Sequence, residues 1–366
     1  MAHILPISDV PNGTFFFIRS QLRPVDGFVI LCSLYITVGT FGLIGNARCA
    51  VIFLRLGSGY RKRKRGVKTN AQPHRPILIY SLAQTVVNSA ILLEIPSMLM
   101  DLANSNYMLG SYGCKLQWIF DTMNKLLSNF LLLTMSAYCC TKICQTPFNY
   151  QLRLLSRQLS INTVLLLNLG LAVLLAVPMS FGSNIFAILY QVNSSNYVVT
   201  QKCFHLPSVS AMRIIVTYAF LAGYAVPMLL QLYFYGSILL YIHRTYLRSR
   251  VGHSNYWPMQ NITKKCAIQL GIYFVCWTPY WLLHMYSGWA ATDHNAVQNI
   301  SIAVLYAIHA LPYVYAASNA TLYLYISNTI SSANLHTPIK PTVLVSRVTC
   351  KTFNIPATIR AQATGV

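Results

Sequence analysis

Seven long apolar runs, separated by short polar and basic segments, set the pattern of this chain. They fall at residues 27–55, 76–101, 113–143, 158–182, 211–245, 263–289 and 295–325. Each exceeds the roughly 20 apolar residues a helix needs to cross a hydrocarbon core, so the pattern predicts an all-α, seven-transmembrane helix bundle. The excess length implies tilted helices or ends that protrude beyond the lipid. The third run, within Gly113–Phe148, carries two internal charges, Asp121 and Lys125. A charge inside a spanning segment is costly and as a rule faces a cavity where it has a role. No paired broken helices suggest the inverted repeat of a transporter.

The connecting segments orient the bundle. Basic residues crowd the connections after the first, third and fifth runs and the C-terminal tail, including Arg61, Lys62, Arg63, Lys64 and Arg65, Arg153 and Arg157, and Lys264 and Lys265. The opposite side holds Arg19, Arg23, Lys115, Lys202 and Arg213. By the positive-inside rule the N-terminus is outside and the C-terminus cytoplasmic. Residues 1–26 then read as an extracellular tail, 27–325 as the receptor-like bundle and 326–366 as a cytoplasmic tail without packed structure. The start of the chain lacks the features of a secretory signal, so the first run is expected to serve as the insertion signal. Arg61–Arg65 directly follow a span, which favours anionic inner-leaflet lipid and topology fixing over a nuclear or nucleic-acid role.

Composition sharpens this picture. Hydrophobic residues make up 55% of the chain and charged ones 9%, with 27 Lys and Arg against 6 acids. So basic a chain raises nucleic-acid binding, but that needs basic residues gathered on a polar fold, whereas here they punctuate apolar runs. All six acids, Asp9, Asp26, Glu94, Asp101, Asp121 and Asp293, fall in the outer half or outer connections. Topology does not require this. It reads either as an outer mouth that attracts a cation or as a chance placement of six residues.

Of ten cysteines, only Cys114 and Cys203 fall on the oxidising outer side. A bridge between them would pin the second outer connection to the third span. No cluster has zinc spacing, and no metal or cofactor is implied. Asn12 and Asn193 are outer-side glycosylation acceptors.

Several motifs then align in order. They are Gly-Leu-Ile-Gly-Asn46; Tyr107-Met-Leu-Gly110 before Cys114; Pro227 with Tyr235; Phe274-Val-Cys-Trp277-Thr-Pro279-Tyr280-Trp281; and Leu-Pro312-Tyr-Val-Tyr315. Across about 27–325 the chain resembles a rhodopsin-like G-protein-coupled receptor, and Asp121-Thr-Met-Asn124 resembles the Asp-x-x-Asn of somatostatin-like and opioid-like peptide receptors. That resemblance implies a plasma-membrane receptor for an extracellular cationic peptide, with a heterotrimeric G protein as partner. It implies ligand contacts at Asp121, Asn124, Lys125, Trp277, Tyr280 and His284. It also implies an activation switch at Trp277, Pro279, Tyr235, Pro312 and Tyr315. Departures accompany it. The family's Asp-Arg-Tyr is Tyr138-Cys139-Cys140, its sodium-binding aspartate aligns with Val86, its seventh-span asparagine is Leu311, and its fourth-span tryptophan is absent. These departures bear on G-protein coupling and on sodium modulation.

Two fates remain open for Asp121: contact with a ligand cation, or internal pairing with Lys125 one turn on. The functional alternatives are a biogenic-amine receptor and a seven-helix ligand-binding or chemosensory protein that has lost coupling. An opsin would need a seventh-span lysine, and none lies between Asp293 and Tyr325. Nothing in the chain pairs a nucleophile with a base, so an enzyme is not expected.

Overall fold

The computed structural model describes residues 3–6, 16–18, 24–63, 75–104, 107–144, 159–180, 183–191, 196–205, 209–248, 257–290, 304 and 307–321. Asn12, Asn193, Asp9, Asp293 and residues 326–366 lie outside them, as does the first part of the expected seventh run. Among the described residues, nine helices account for seven spans. They are α1 (Pro24–Arg63), α2 (Arg75–Leu92), α3 (Ile95–Ala103), α4 (Gly110–Ile143), α5 (Ile161–Ser180), α6 (Val209–Phe220), α7 (Val226–Arg248), α8 (Trp257–Ala290) and α9 (307–321).

Two spans are divided, for different reasons. The second breaks at Leu93–Glu94, just ahead of Pro96 at the start of α3. Proline has no N–H to return to the Leu92 carbonyl, and the chain tightens locally, Glu94 N–H donating to Ile91 O three residues back. The fifth is interrupted by a π-turn, Leu221–Ala225, between α6 and α7. Pro227 follows it and leaves the Gly223 carbonyl without its helical donor. Longer helices than the apolar runs require appear at two ends: α1 continues to Arg63 and α8 begins at Trp257.

Among the described residues, four stretches, in α1, α2–α3, α5 and α6–α7, are long and apolar enough to cross a membrane on composition alone. The polar α4 packs against α2, α5 and α7 and links two buried clusters. One gathers Tyr224, Tyr235, Tyr273, Cys276, Trp277, Tyr280, Trp281 and Tyr315. The other gathers Tyr35, Ile91, Leu92, Leu126, Leu131 and Tyr313. Asn46 ties α1 to α9, its Nδ2 donating to Gly42 O at 2.9 Å and Ala316 O at 3.1 Å. The approach there depends on Gly42, where an added Cβ would lie 2.6 Å from Leu92 Cδ1 and 2.8 Å from Ala317 Cβ. Gly42→Ala should therefore wedge α1 from α2 and α9 and destabilise the bundle by about 1–3 kcal/mol. Thermal inactivation of the detergent-solubilised protein would measure this, and an unchanged midpoint would refute it.

An element absent from the all-helical expectation caps one end. Strands β1 (His3–Pro6), β2 (Phe16–Ile18), β3 (Ser183–Gln191) and β4 (Asn196–His205) form a sheet in the order β1-β4-β3-β2. β3 and β4 make an antiparallel hairpin, with Ile185 opposite Cys203. β1 joins β4 antiparallel and β2 joins β3 parallel. The hairpin is fixed to the α3–α4 connection at several points. Cys203 is disulfide-bonded to Cys114, with Cα atoms 5.6 Å apart. Tyr107 N–H donates to Gln201 O at 2.8 Å, and Lys202 Nζ to Asn104 O at 2.7 Å. Gly110, at φ +68°, turns the chain into α4, a left-handed conformation that favours glycine.

Candidate functional site

One face of α4 carries a run of buried polar residues, and the site is built on it. Asp121, Asn124, Lys125 and Ser128 recur at three- and four-residue spacing, which places them on one side of the helix. Beside this face Leu116 and Phe120 are exposed. The Lys125 ammonium lies 2.7 Å from the Asp121 carboxylate and 3.2 Å from the Tyr280 hydroxyl. It also sits 4.9 Å from the Tyr280 ring centroid and 5.9 Å from that of Tyr313, within cation–π range. The internal pair left open by the sequence is thus formed. The lysine side chain is 4% exposed and the aspartate 18%, while Asp121 Oδ1 itself is buried.

Glu94 joins them from the α2–α3 break. Its Oε1 accepts from Asn124 Nδ2 at 3.1 Å, so Asn124 connects the second and third spans rather than reaching the cavity alone. Around this group stand aromatic rings from α8 and α9. Tyr280 packs on His284 at 4.4 Å and on His309 at 5.5 Å, and the two imidazoles are 6.1 Å apart. Tyr35 of α1 meets Tyr313 edge-on at 5.7 Å. Trp277 lies below, against Tyr280 at 5.7 Å and Tyr315 at 6.1 Å. Asp121, Lys125, Tyr280 and His284 are therefore linked in series, Asp121 to Lys125, Lys125 to Tyr280 and Tyr280 to His284, with Trp277 against Tyr280. Sequence reasoning did not assign Glu94, His309 and Tyr313 to the site. For Glu94 a signal was present, since an acid two residues before a mid-span proline sits where the helix must bend. No comparable signal marks His309.

A cleft of about 570 Å³ between α3 and α4 is lined by Ser97, Leu109, Leu116, Gln117, Phe120 and Met123, among others. It lies on the outward, apolar side of α4 and includes none of the charged residues. The chemistry therefore points to the inner polar face rather than to this cleft.

Below the charged group the polar run continues without charge. Gln84 Nε2 donates to Ser128 Oγ at 2.7 Å and to Asn88 Oδ1 at 3.2 Å, and Ser128 Oγ donates to the same Asn88 oxygen. Val86 is 58% exposed and faces away from the bundle. Asn88, two residues on and some 200° around the helix, holds the inward position that the sequence alignment gave to Val86. The cluster is neutral in either case. Deeper still, Gln269 Nε2 donates to Asn319 Oδ1 at 3.1 Å.

The switch residues lie in this lower half. Tyr235, Tyr273 and Tyr315 are buried in one cluster with Trp277. α8 runs unbroken through Pro279, whose missing N–H frees the Val275 carbonyl, and Pro312 lies within α9. Cys139 and Cys140 are buried in the same cluster, and Tyr138 packs edge-on against Tyr80. A further polar link joins the third and fifth spans. Asn129 Nδ2 donates to the Gly223 carbonyl released by Pro227, and Gln231 Nε2 donates to Asn129 Oδ1 at 2.8 Å. Asn129→Leu would strand both partners in the interior, at about 1–3 kcal/mol. A matching fall in thermal stability is expected, and Asn129→Leu as stable as the parent would show the link to be dispensable.

Comparison with known proteins agrees with this arrangement. Residues 66–323 match the family described as 7 transmembrane receptor (rhodopsin family). Neuropeptide receptor 18 of Caenorhabditis elegans is 24% identical over 345 residues, covering 86% of this chain and 70% of that protein. A probable G-protein coupled receptor of the same organism is 27% identical over 254 residues, covering 67% of this chain and 56% of its own length. Galanin receptor type 1 of Rattus norvegicus is 22% identical over 321 residues, covering 86% and 84%.

Proposed function

The chain belongs to the rhodopsin family of seven-transmembrane receptors, and on that premise we propose that it is a plasma-membrane receptor for an extracellular cationic neuropeptide. The observation that carries this reading is the Asp121–Lys125 pair. It is held within the bundle, leaves the Asp121 side chain partly exposed, and is walled by Tyr280, His284 and His309. A basic group of the peptide shares Asp121 with Lys125. An uncompensated carboxylate in this interior would cost several kcal/mol, which the incoming cation and the lysine offset together. The new charge repels Lys125 and shifts its ammonium on the Tyr280 ring. Tyr280 in turn packs on Trp277, and a change there is passed to the α8 segment around Pro279. The freed Val275 carbonyl makes that segment easier to bend. Relatives named for neuropeptide and galanin receptors support a peptide over a small amine.

The basic connections support an orientation with residues 1–26 outside, the bundle at 27–325 and the tail from 326 in the cytoplasm. Asn12 and Asn193 then serve as glycosylation sites, and Arg61–Arg65 face anionic lipid. The partner on the inner side is a heterotrimeric G protein. A second reading, binding without coupling, is favoured by one observation. Tyr138-Cys139-Cys140 places a buried thiol, Cys139, where the family carries a charged arginine.

A peptide-library screen on cells expressing the receptor, read by binding and by G-protein activation, decides between these. Binding with activation supports the proposal. Binding alone selects the uncoupled receptor, and binding of small amines without any peptide would refute the peptide reading.

A further inference from the structure

The charges gathered in the bundle do not balance. Lys125 brings one positive charge, while Glu94 and Asp121 bring two carboxyl groups. Glu94 is 7% exposed, and among the described residues its Oε1 receives a donor while Oε2 has none. Asp121 Oδ1, although close to the lysine ammonium, accepts no aligned hydrogen bond. Asn124, on the helix face that carries Asp121, joins Glu94 to the same polar group. Ionised carboxylates offer acceptors only and repel one another. Two buried carboxyl groups beside a single ammonium are therefore balanced by one proton. That proton supplies the second positive charge the site needs.

We infer that Glu94 and Asp121 together form a binding site for one cationic group, held by a proton before the ligand binds and by a ligand guanidinium or ammonium afterwards. This rests on the reading that Asp121 receives the ligand, and adds Glu94 as a residue that sets specificity. The exchange conserves charge: a +1 group enters, the shared proton leaves to solvent, and the O–H bond broken is replaced by N–H donation to the same oxygens. Two carboxyl groups offered from different spans suit a guanidinium, whose planar fork of five N–H donors can bond both at once. A lone ammonium engages them less completely. Among the described residues, the remaining titratable neighbours are Tyr280 and His284 on α8, His309 and Tyr313 on α9 and, behind Tyr313, Tyr35 on α1. A protonated imidazole would also oppose an incoming cation, so the test must separate carboxyl from histidine.

Infrared difference spectroscopy of the full-length receptor in lipid nanodiscs provides the first readout and needs no ligand. The carbonyl-stretch band of a protonated carboxylic acid is expected at pH 7 and should vanish in Glu94→Gln and in Asp121→Asn. N-acetyl-argininamide provides the second, because its single guanidinium charge is constant over the range used. Between pH 6 and pH 7 its affinity should rise by up to about tenfold as pH rises, one proton being released per cation bound. Glu94→Gln should abolish this slope. Absence of the band in the parent receptor would overturn the inference. So would a slope that survives Glu94→Gln, which would assign the proton to His284 or His309. The peptide reading is tested separately by the library screen, so a receptor can fail there and still show the band.

Discussion

Asp121→Asn is expected to abolish the response to a cationic peptide and, unlike a purely ligand-facing substitution, to lower the amount of folded receptor as well. The reason is Lys125. Its ammonium is almost fully buried and 2.7 Å from the carboxylate. Removing one partner of a buried ion pair leaves the other charge uncompensated, at about 3–5 kcal/mol, although Glu94 and the Tyr280 ring recover part of it. Fold and function can be separated by a second substitution. Adding Lys125→Gln removes the stranded charge, so Asp121→Asn with Lys125→Gln should return surface expression towards the parent level while the response stays lost. Expression measured by an N-terminal epitope and response measured by G-protein activation are compared for the parent, both singles and the double. Recovery of response in the double would show that Asp121 serves only to hold Lys125, and the ligand site would have to be sought elsewhere.

The second large effect concerns the disulfide. Cys114 and Cys203 are 89 residues apart, and a loop of that length would correspond to about 4–5 kcal/mol in the chain-entropy account. That figure overstates the effect on global stability here. The intervening chain includes most of α4 and all of α5, which remain membrane-inserted helices even in a loosened bundle. The effect is therefore expected to be local. Without the bridge, the hairpin is held to the α3–α4 connection by hydrogen bonds such as Tyr107 N–H to Gln201 O and Lys202 Nζ to Asn104 O. These leave β4 and the strands paired with its sheet less firmly placed above the helices. Cys114→Ser with Cys203→Ser should weaken peptide binding by about tenfold or more, corresponding to roughly 1.4 kcal/mol, with a smaller change in thermal inactivation. The double substitution avoids a stray outer thiol. Peptide affinity equal to the parent's would show that the hairpin's attachment plays no part in recognition.

Much of this molecule is legible in one dimension. Apolar runs long enough to span a bilayer, with basic residues between them, leave few alternatives, because backbone polar groups in lipid must be satisfied within the helix itself. The run lengths gave the helices to within a few residues at most ends. Asp121, Lys125, Tyr280 and His284 could be nominated because a charge or polar ring in an apolar span stands out from its surroundings. The sheet formed by β1, β2 and the β3–β4 hairpin could not. Its pairings join residues nearly 200 positions apart, such as His3 and Val199, and no local periodicity encodes them.

What the chain's order of residues determined by itself is the class of fold, the direction expected of its ends, and a carboxylate placed within a span. Tertiary structure decided how that carboxylate is balanced. Helical spacing allows Asp121 to reach Lys125, but the approach of Glu94 depends on the bend at Pro96, and that of Tyr280, His309 and Tyr313 on how α8 and α9 pack. It also turned Asn88 rather than Val86 inward and supplied Asn129 to the carbonyl that Pro227 leaves free. The physical reason is common to these cases. Burial makes each charge or unpaired polar group expensive, and the partner that relieves it is chosen by three-dimensional proximity between spans, which no single span contains.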